Sequence, residues 1–106
     1  MATGRLGTAN LAASTNTTVY TVPATTFSVV TLSICNRSNS AITCRVSLST
    51  TTTPAADEWI EYDTEILPKG VLERTGLVMQ TGLNLVVWSS TANVSAVAIG
   101  IETPTA

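Results

Sequence analysis

The sequence predicts an all-β protein, a single β-sandwich of about eight strands of jelly-roll or immunoglobulin-like type. Aliphatic and β-branched residues alternate with Ser and Thr at a two-residue period, as in the segments 27–35 and 42–48. Turn-forming residues separate these segments at short intervals, and no segment shows the 3.6-residue apolar stripe of a helix. A length of 106 residues suits one domain with its own core.

The N-terminal part of the sequence predicts an arm or edge strand, followed by the first strand of the domain. Residues 1–16 have few bulky apolar side chains, so an N-terminal arm or an edge strand is expected there. The run 17–22 alternates and stops at Pro23, which lacks the N–H group that a strand ladder needs. The β-sandwich domain is expected to span 17–102, followed by a frayed tail at 103–106.

The segments 27–35 and 42–49 are expected to pair as a central hairpin around a turn at 36–40. In that arrangement Cys35 faces outward and Cys44 inward, and opposed Cβ directions cannot be joined by a disulfide. Two free thiols are therefore predicted, with Cys44 in the core as a small apolar residue. The side chains predicted to face inward are Leu32, Ile34, Cys44, Val46 and Leu48.

The second half of the chain follows a polar loop at 50–56 and contains shorter strands, with breaks at Gly76 and Gly82. The predicted strands are 59–64, 71–74, 77–79, 83–89 and 94–101. The side chains expected to face inward are Ile60, Tyr62, Leu83, Leu85, Val87, Val97, Ile99 and Ile101. The small residues expected on outer faces are Thr31, Ser33, Thr43, Ser47, Ser95, Ala96 and Ala98. Small uncharged outer faces are unusual for a lone monomer and indicate a part of an assembly.

Charge and hydropathy exclude two classes of partner. The net charge is −2 and the five basic residues are scattered, so a nucleic-acid partner is not expected. No apolar stretch approaches the roughly 18 residues of a membrane span, so no membrane partner is expected. The N-terminus lacks the apolar run of a secretion signal. We therefore expect a complete chain, beginning at its own Met1, that is made in the cytoplasm.

Five of the seven acidic residues fall within one short region. They are Asp57, Glu58, Glu61, Asp63 and Glu65. A solvated rim or a subunit contact is the favoured interpretation, with a metal site or glycoside hydrolysis as alternatives. A calcium loop would need glycine where Tyr62 stands. The chain has no His, and Lys69 lies in a solvated turn, so no activated nucleophile is expected. We predict no enzyme activity, no cofactor and no metal.

Trp59 and Trp88 are the remaining candidates for binding. Either could stack on a sugar, but core packing or subunit contact is the favoured interpretation, because aromatic residues are enriched at interface centres. Trp88 is out of phase with Leu85 and Val87, so it is expected to be exposed or at an interface.

Short motifs over about residues 17–102 resemble those of a family of small tailed-bacteriophage virion proteins. The motif segments are 19–23 (VYTVP), 33–36 (SICN), 41–46 (AITCRV), 60–63 (IEYD), 66–68 (ILP) and 98–102 (AIGIE). The resemblance implies a β-sandwich scaffold without an active site, used as a capsid decoration (cement) protein or as a module of tail and fibre proteins.

The expected function is a non-enzymatic virion structural protein that decorates or cements the capsid of a tailed phage. The alternative is a tail, tail-fibre or spike component that contacts the host surface. The expected partners are the major capsid protein or other virion proteins and further copies of the chain, with a trimer as the first expectation. The predicted interface residues are Arg5, Leu6, Leu11, Asp57, Glu58, Trp59, Glu61 and Trp88.

Overall fold

The computed structural model describes residues 3–105 and contains eight strands over that range. They are β1 (Thr3–Leu11), β2 (Thr17–Thr21), β3 (Thr26–Asn36), β4 (Ile42–Ser49), β5 (Trp59–Ile66), β6 (Val71–Met79), β7 (Asn84–Ser89) and β8 (Val94–Pro104). No helix long and apolar enough to span a membrane occurs within this described range.

The strands form two antiparallel four-stranded sheets. The first sheet has the order β1-β8-β3-β6, and the second has the order β2-β7-β4-β5. Strands therefore pair in a nested way: β1 with β8, β2 with β7, β3 with β6 and β4 with β5. This arrangement confirms the predicted all-β sandwich.

The core lies between the sheets because alternate side chains of each strand face the opposite sheet. Fully buried members are Val30, Leu32, Ile34, Cys44, Val46, Leu85, Val87, Ala96 and Ala98, each 0–1% exposed. The inward positions predicted for β3, and those at Cys44, Val46, Leu85 and Val87, are confirmed. Both cysteines are free, and Cys44 is buried as predicted.

The predicted central hairpin is wrong. β3 pairs with β6 and β8 in the first sheet, whereas β4 pairs with β5 and β7 in the second. The connection at 37–41 crosses between the sheets, so the two strands belong to different layers. The inward side chains are unchanged because alternation sets which face is apolar and leaves the pairing partner open.

The predicted phase of β8 is also wrong. Ala96 and Ala98 are buried, whereas Ile99 is 44% and Ile101 is 54% exposed. On the inner face the two alanines lie beside Ile34 and Leu32 of β3, whose bulk fills the space that small side chains leave. Two of the small residues predicted outside are therefore in the core.

Bulges account for the remaining differences between the predicted strands and the observed ones. Gly76, at φ +69°, does not end a strand; it lies at a bulge inside β6, where Leu32 pairs with Arg74 but Val30 with Leu77. In β5 an extra residue between the Val46–Glu61 and Cys44–Thr64 pairs shifts the side-chain phase. Tyr62 consequently points outward and is 57% exposed, contrary to the prediction.

The C-terminal tail expected at 103–106 is largely strand. Thr103 pairs with Phe27 and Pro104 with Thr26, because β3 begins early enough to provide partners. Thr105 N–H then donates to the Thr25 carbonyl at 3.0 Å. Residues 1 and 2 of the expected arm, and residue 106 of the tail, lie outside the described residues.

Candidate functional site

The outer face of the first sheet carries an exposed apolar surface, which we call the aliphatic patch. Val78, Val29 and Ile101 form one row across β6, β3 and β8, with exposures of 67%, 43% and 54%. Ile99 and Phe27 extend the row along their strands, with exposures of 44% and 37%. Contiguous exposed apolar side chains of this kind mark interaction surfaces in soluble proteins.

The outer face of the second sheet carries an aromatic cluster, defined here as Trp59, Tyr62 and Trp88 with Arg45. The guanidinium carbon of Arg45 lies 4.2 Å from the Tyr62 ring centroid and 4.1 Å from that of Trp88. Trp59 meets Tyr62 edge to face, with ring centroids 5.6 Å apart and planes at 71°. The cluster thus joins the two tryptophans through one cation and one phenol ring.

The backbone places these rings together. Arg45 pairs with Trp88 across β4 and β7, and Ser47 pairs with Trp59 across β4 and β5. The bulge next to Tyr62 turns its ring to the same side. Arg45 Nε donates to Asp63 Oδ1 at 2.6 Å, and this hydrogen bond raises the pKa of Arg45 further by stabilising its charged form.

Beside the cluster lies an open hollow of about 400 Å³ lined by Ala56, Trp59 and Tyr62. Ala56 belongs to the loop at 50–58, which Glu58 organises. Its carboxylate accepts hydrogen bonds from the Ala55 N–H at 2.8 Å and the Ser49 hydroxyl at 2.7 Å. These bonds lower the pKa of Glu58.

The acidic residues do not gather around this hollow as one site. Glu61 accepts a hydrogen bond from Arg74 of β6 at 2.6 Å, so it ties the edge strands of the two sheets together. Asp63 is held by Arg45, and Glu58 is engaged in its own loop. Asp57 and Glu65 are exposed. Across residues 3–105, no three His, Cys, Asp or Glu side chains come together in a way that could hold a metal ion.

The structure separates the predicted interface residues into different environments. Arg5 is exposed on the edge strand β1, where it neighbours Ile99 of the aliphatic patch. Leu6 packs partly against the core, and Leu11 is 2% exposed within it, so the Leu11 side chain is not available to another subunit. Asp57 and Trp59 lie at the hollow's side of the second sheet, and Trp88 is half-buried beneath Arg45.

A buried polar group links the two sheets and was not predicted from the sequence. The Tyr20 hydroxyl of β2 donates to Glu102 Oε2 at 2.5 Å and lies 2.6 Å from Ser28 Oγ. Burial, reinforced by the hydrogen bond to Glu102, raises the pKa of Tyr20 to about 12. Glu102 shares the inward phase of Ala96 and Ala98, so the correct phase of β8 would have indicated it.

Comparison with known proteins adds no relative to this description. No protein-family model, no curated protein and no solved structure matches the chain. The resemblance to small phage virion proteins therefore depends on the short motifs alone, and the two outer faces carry the functional argument.

Proposed function

We propose that the chain is a non-enzymatic virion structural protein that decorates or cements the capsid of a tailed phage. The aliphatic patch is the observation that supports this role. Five exposed apolar side chains on one sheet face are a cost to an isolated domain and a gain to one that packs against a neighbour. The motif resemblance points to the same class of protein.

The occupant that suits the patch is a second copy of this chain. Its central row is built from Val78, Val29 and Ile101 and carries no charge, so two such faces are compatible with each other. We therefore propose a homo-oligomer: contact between two identical patches joins two copies as a dimer, whereas the trimer that was the first expectation would need the patch to meet a different surface of its neighbour. Its remaining surface is then free for the major capsid protein, and binding only to the assembled shell would stabilise the particle by mass action.

The strand pairing gives secondary support. The nested order, in which every consecutive pair of strands except β4 and β5 lies in different sheets, favours a jelly roll over the immunoglobulin-like alternative. Jelly rolls occur in viral capsid domains and in lectins. Since one fold serves many functions, the jelly-roll order supports the class of protein, and the aliphatic patch supports the role.

The alternative role, a tail, tail-fibre or spike component that contacts the host surface, is favoured by one observation. The aromatic cluster leaves Tyr62 57% exposed beside a hollow on the face opposite the patch. A surface with two separate contact regions suits a protein that joins the virion by one face and meets the host by the other.

The experiment compares the double variant Val78→Ser, Ile101→Ser with Val71→Ser. Val71 is the control because it is similarly exposed, at 57%, and lies on the same strand as Val78 but outside the patch. Light scattering after size exclusion should show an oligomer for the wild type and for Val71→Ser. The double variant should be a monomer and should lose co-sedimentation with capsids of the phage that encodes it.

Two results would overturn the proposal. The first is a wild-type protein that stays monomeric at every concentration and does not sediment with capsids. The second is a double variant with the mass and capsid occupancy of the wild type.

A further inference from the structure

We infer that the corner between Trp59 and Tyr62 is a binding site for a neutral hexopyranose residue of a glycan. This inference goes beyond the assembly role, since it concerns the opposite face of the sandwich. It stands on the shape of the hollow, the rigidity of its walls and the charge around it.

The shape suits a small ring-shaped ligand. Two aromatic rings with planes at 71° and centroids 5.6 Å apart form adjoining walls, and Ala56 adds a small apolar surface. The volume of about 400 Å³ falls in the range of small-molecule sites, which is roughly 300–1,000 Å³. The C–H faces of a pyranose pack against aromatic rings, while its hydroxyl groups remain directed to the rim.

The walls are held in place before any ligand arrives. Tyr62 lies against the Arg45 guanidinium, which Asp63 binds at 2.6 Å and Trp88 supports from the other side. The loop that carries Ala56 is fixed by the hydrogen bonds to Glu58. A preformed site loses little side-chain entropy on binding, which raises affinity for a small ligand.

The surrounding polar groups select among sugars. Asp57, next to Ala56, is an exposed acceptor for sugar hydroxyl groups. Asp57 adjoins Ala56 and Glu58 adjoins Trp59 along the chain, and the charge of Arg45 is balanced by Asp63. The exposed carboxylate of Asp57 repels anions, so sugars bearing carboxylate, sulfate or phosphate are disfavoured and a neutral hexose is preferred.

A protein partner at the same corner is the competing occupant. The hollow is concave and small, whereas stable protein contacts bury about 800 Å² on each partner. The observations therefore favour a single sugar ring in the corner, and a protein contact becomes an outcome that the test can reveal.

The test uses the full chain on an array of neutral hexose-terminated oligosaccharides and their sialylated counterparts. Titration with methyl glycosides of glucose, galactose and mannose, followed by amide NMR shifts, locates the binding. We expect neutral glycans to bind at the corner, with binding to the sialylated forms roughly tenfold weaker.

Four variants separate the possible explanations. Trp59→Ala and Tyr62→Ala should each weaken glycan binding by roughly tenfold or more, and Trp59→Phe should retain part of it. Phe27→Ala, an exposed aromatic residue of the first sheet, should bind glycans as the wild type does. Tyr62 is 57% exposed, so Tyr62→Ala should keep the fold even if Trp59→Ala does not.

The inference fails if no neutral glycan binds, or if folded Tyr62→Ala and Trp59→Phe bind glycans unchanged. It also fails if the wild type binds no sugar and the Tyr62→Ala substitution reduces oligomer mass or capsid binding. That result would assign the corner to a protein contact. The double variant Val78→Ser, Ile101→Ser should still bind glycans at each subunit, so failure of the assembly proposal would leave this one standing.

Discussion

At the scale of single residues, the interior of the sandwich depends on how a few polar atoms are satisfied. Tyr20 is 7% exposed and Glu102 is 8% exposed, and a carboxyl group at that depth is costly without hydrogen-bond donors. The Tyr20 hydroxyl supplies one donor from the opposite sheet. The contact therefore both supplies a hydrogen bond to a buried acid and joins the layers near the ends of β2 and β8.

Tyr20→Phe should destabilise the protein by roughly 1–3 kcal/mol, since it removes one hydrogen bond to a buried carboxyl group. Urea unfolding near neutral pH, with far-UV circular dichroism, measures the loss. Thr21→Val serves as a comparison, because Thr21 is an exposed neighbour with a single side-chain bond to Asn84. An unchanged midpoint for Tyr20→Phe would contradict the role of the hydroxyl.

The same residue should make stability fall at high pH. The pKa of Tyr20 is about 12 in the folded protein and 10.0 in its ordinary state, so the unfolded chain loses its proton first. The stabilising contribution is complete below pH 10 and is lost as pH rises toward 12. The difference in the free energy of unfolding between the wild type and Tyr20→Phe should therefore become smaller from pH 10 to pH 12. Urea unfolding at a series of pH values measures it.

The two cysteines should differ in reactivity. Burial, reinforced by the charges of Glu61 and Asp63, raises the pKa of Cys44 to about 11, and the thiolate is the reactive form. Cys35 is half-buried. Alkylation followed by mass spectrometry should modify Cys35 first and Cys44 only after unfolding; equal rates in the native protein would contradict the burial of Cys44.

At the scale of elements, the crossover from β3 to β4 determines that the chain forms two layers. The Asn36 side chain fixes this connection through both its amide donor and its amide acceptor. Its Nδ2 donates to the carbonyls of Ser40, Ile66 and Leu67 at 2.8, 3.2 and 3.1 Å, and its Oδ1 accepts from the Ser38 N–H at 3.0 Å. One buried side chain thus joins the crossover to the turn after β5.

Asn36→Ala should lower stability by roughly 1–3 kcal/mol, because several backbone groups lose their partner at once. Thermal unfolding monitored by circular dichroism provides the measurement. Asn39→Ala is the matched control, since Asn39 lies in the same connection and is exposed. Equal melting temperatures for the two variants would show that Asn36 does not hold the crossover.

At the scale of the whole molecule, nested pairing joins the ends of the chain. β1 lies beside β8 along nearly its full length, from Thr3–Ile101 to Leu11–Val94. The N-terminal segment is therefore an integral strand of the sandwich. A variant that lacks residues 2–12 would lose this strand, so it could not serve as a selective test of particle binding. The substitutions on the two outer faces are the selective tests of function.

Nested pairing also predicts slow folding. Contacts such as β1 with β8 close very large loops, so refolding should take on the order of milliseconds to seconds. Stopped-flow measurement of Trp59 and Trp88 fluorescence after dilution from urea gives the rate. Complete refolding within microseconds would be incompatible with this order of strands.

The amino-acid sequence by itself determined the all-β class and the inward faces of β3, β4 and β7. These properties follow from alternation along one strand, which is a local pattern. Residue types also indicated Trp59 and Trp88 as candidates for binding, although not that they belong to one cluster.

The tertiary structure alone decided which strands pair, which face of β8 is buried and where the aliphatic patch and the aromatic cluster form. A strand such as β8 has apolar residues on both faces, so only packing against Leu32 and Ile34 places its alanines inside. Likewise, Arg45, Tyr62 and Trp88 meet only through register and a bulge. Contacts between distant residues set these features, and no local pattern contains them.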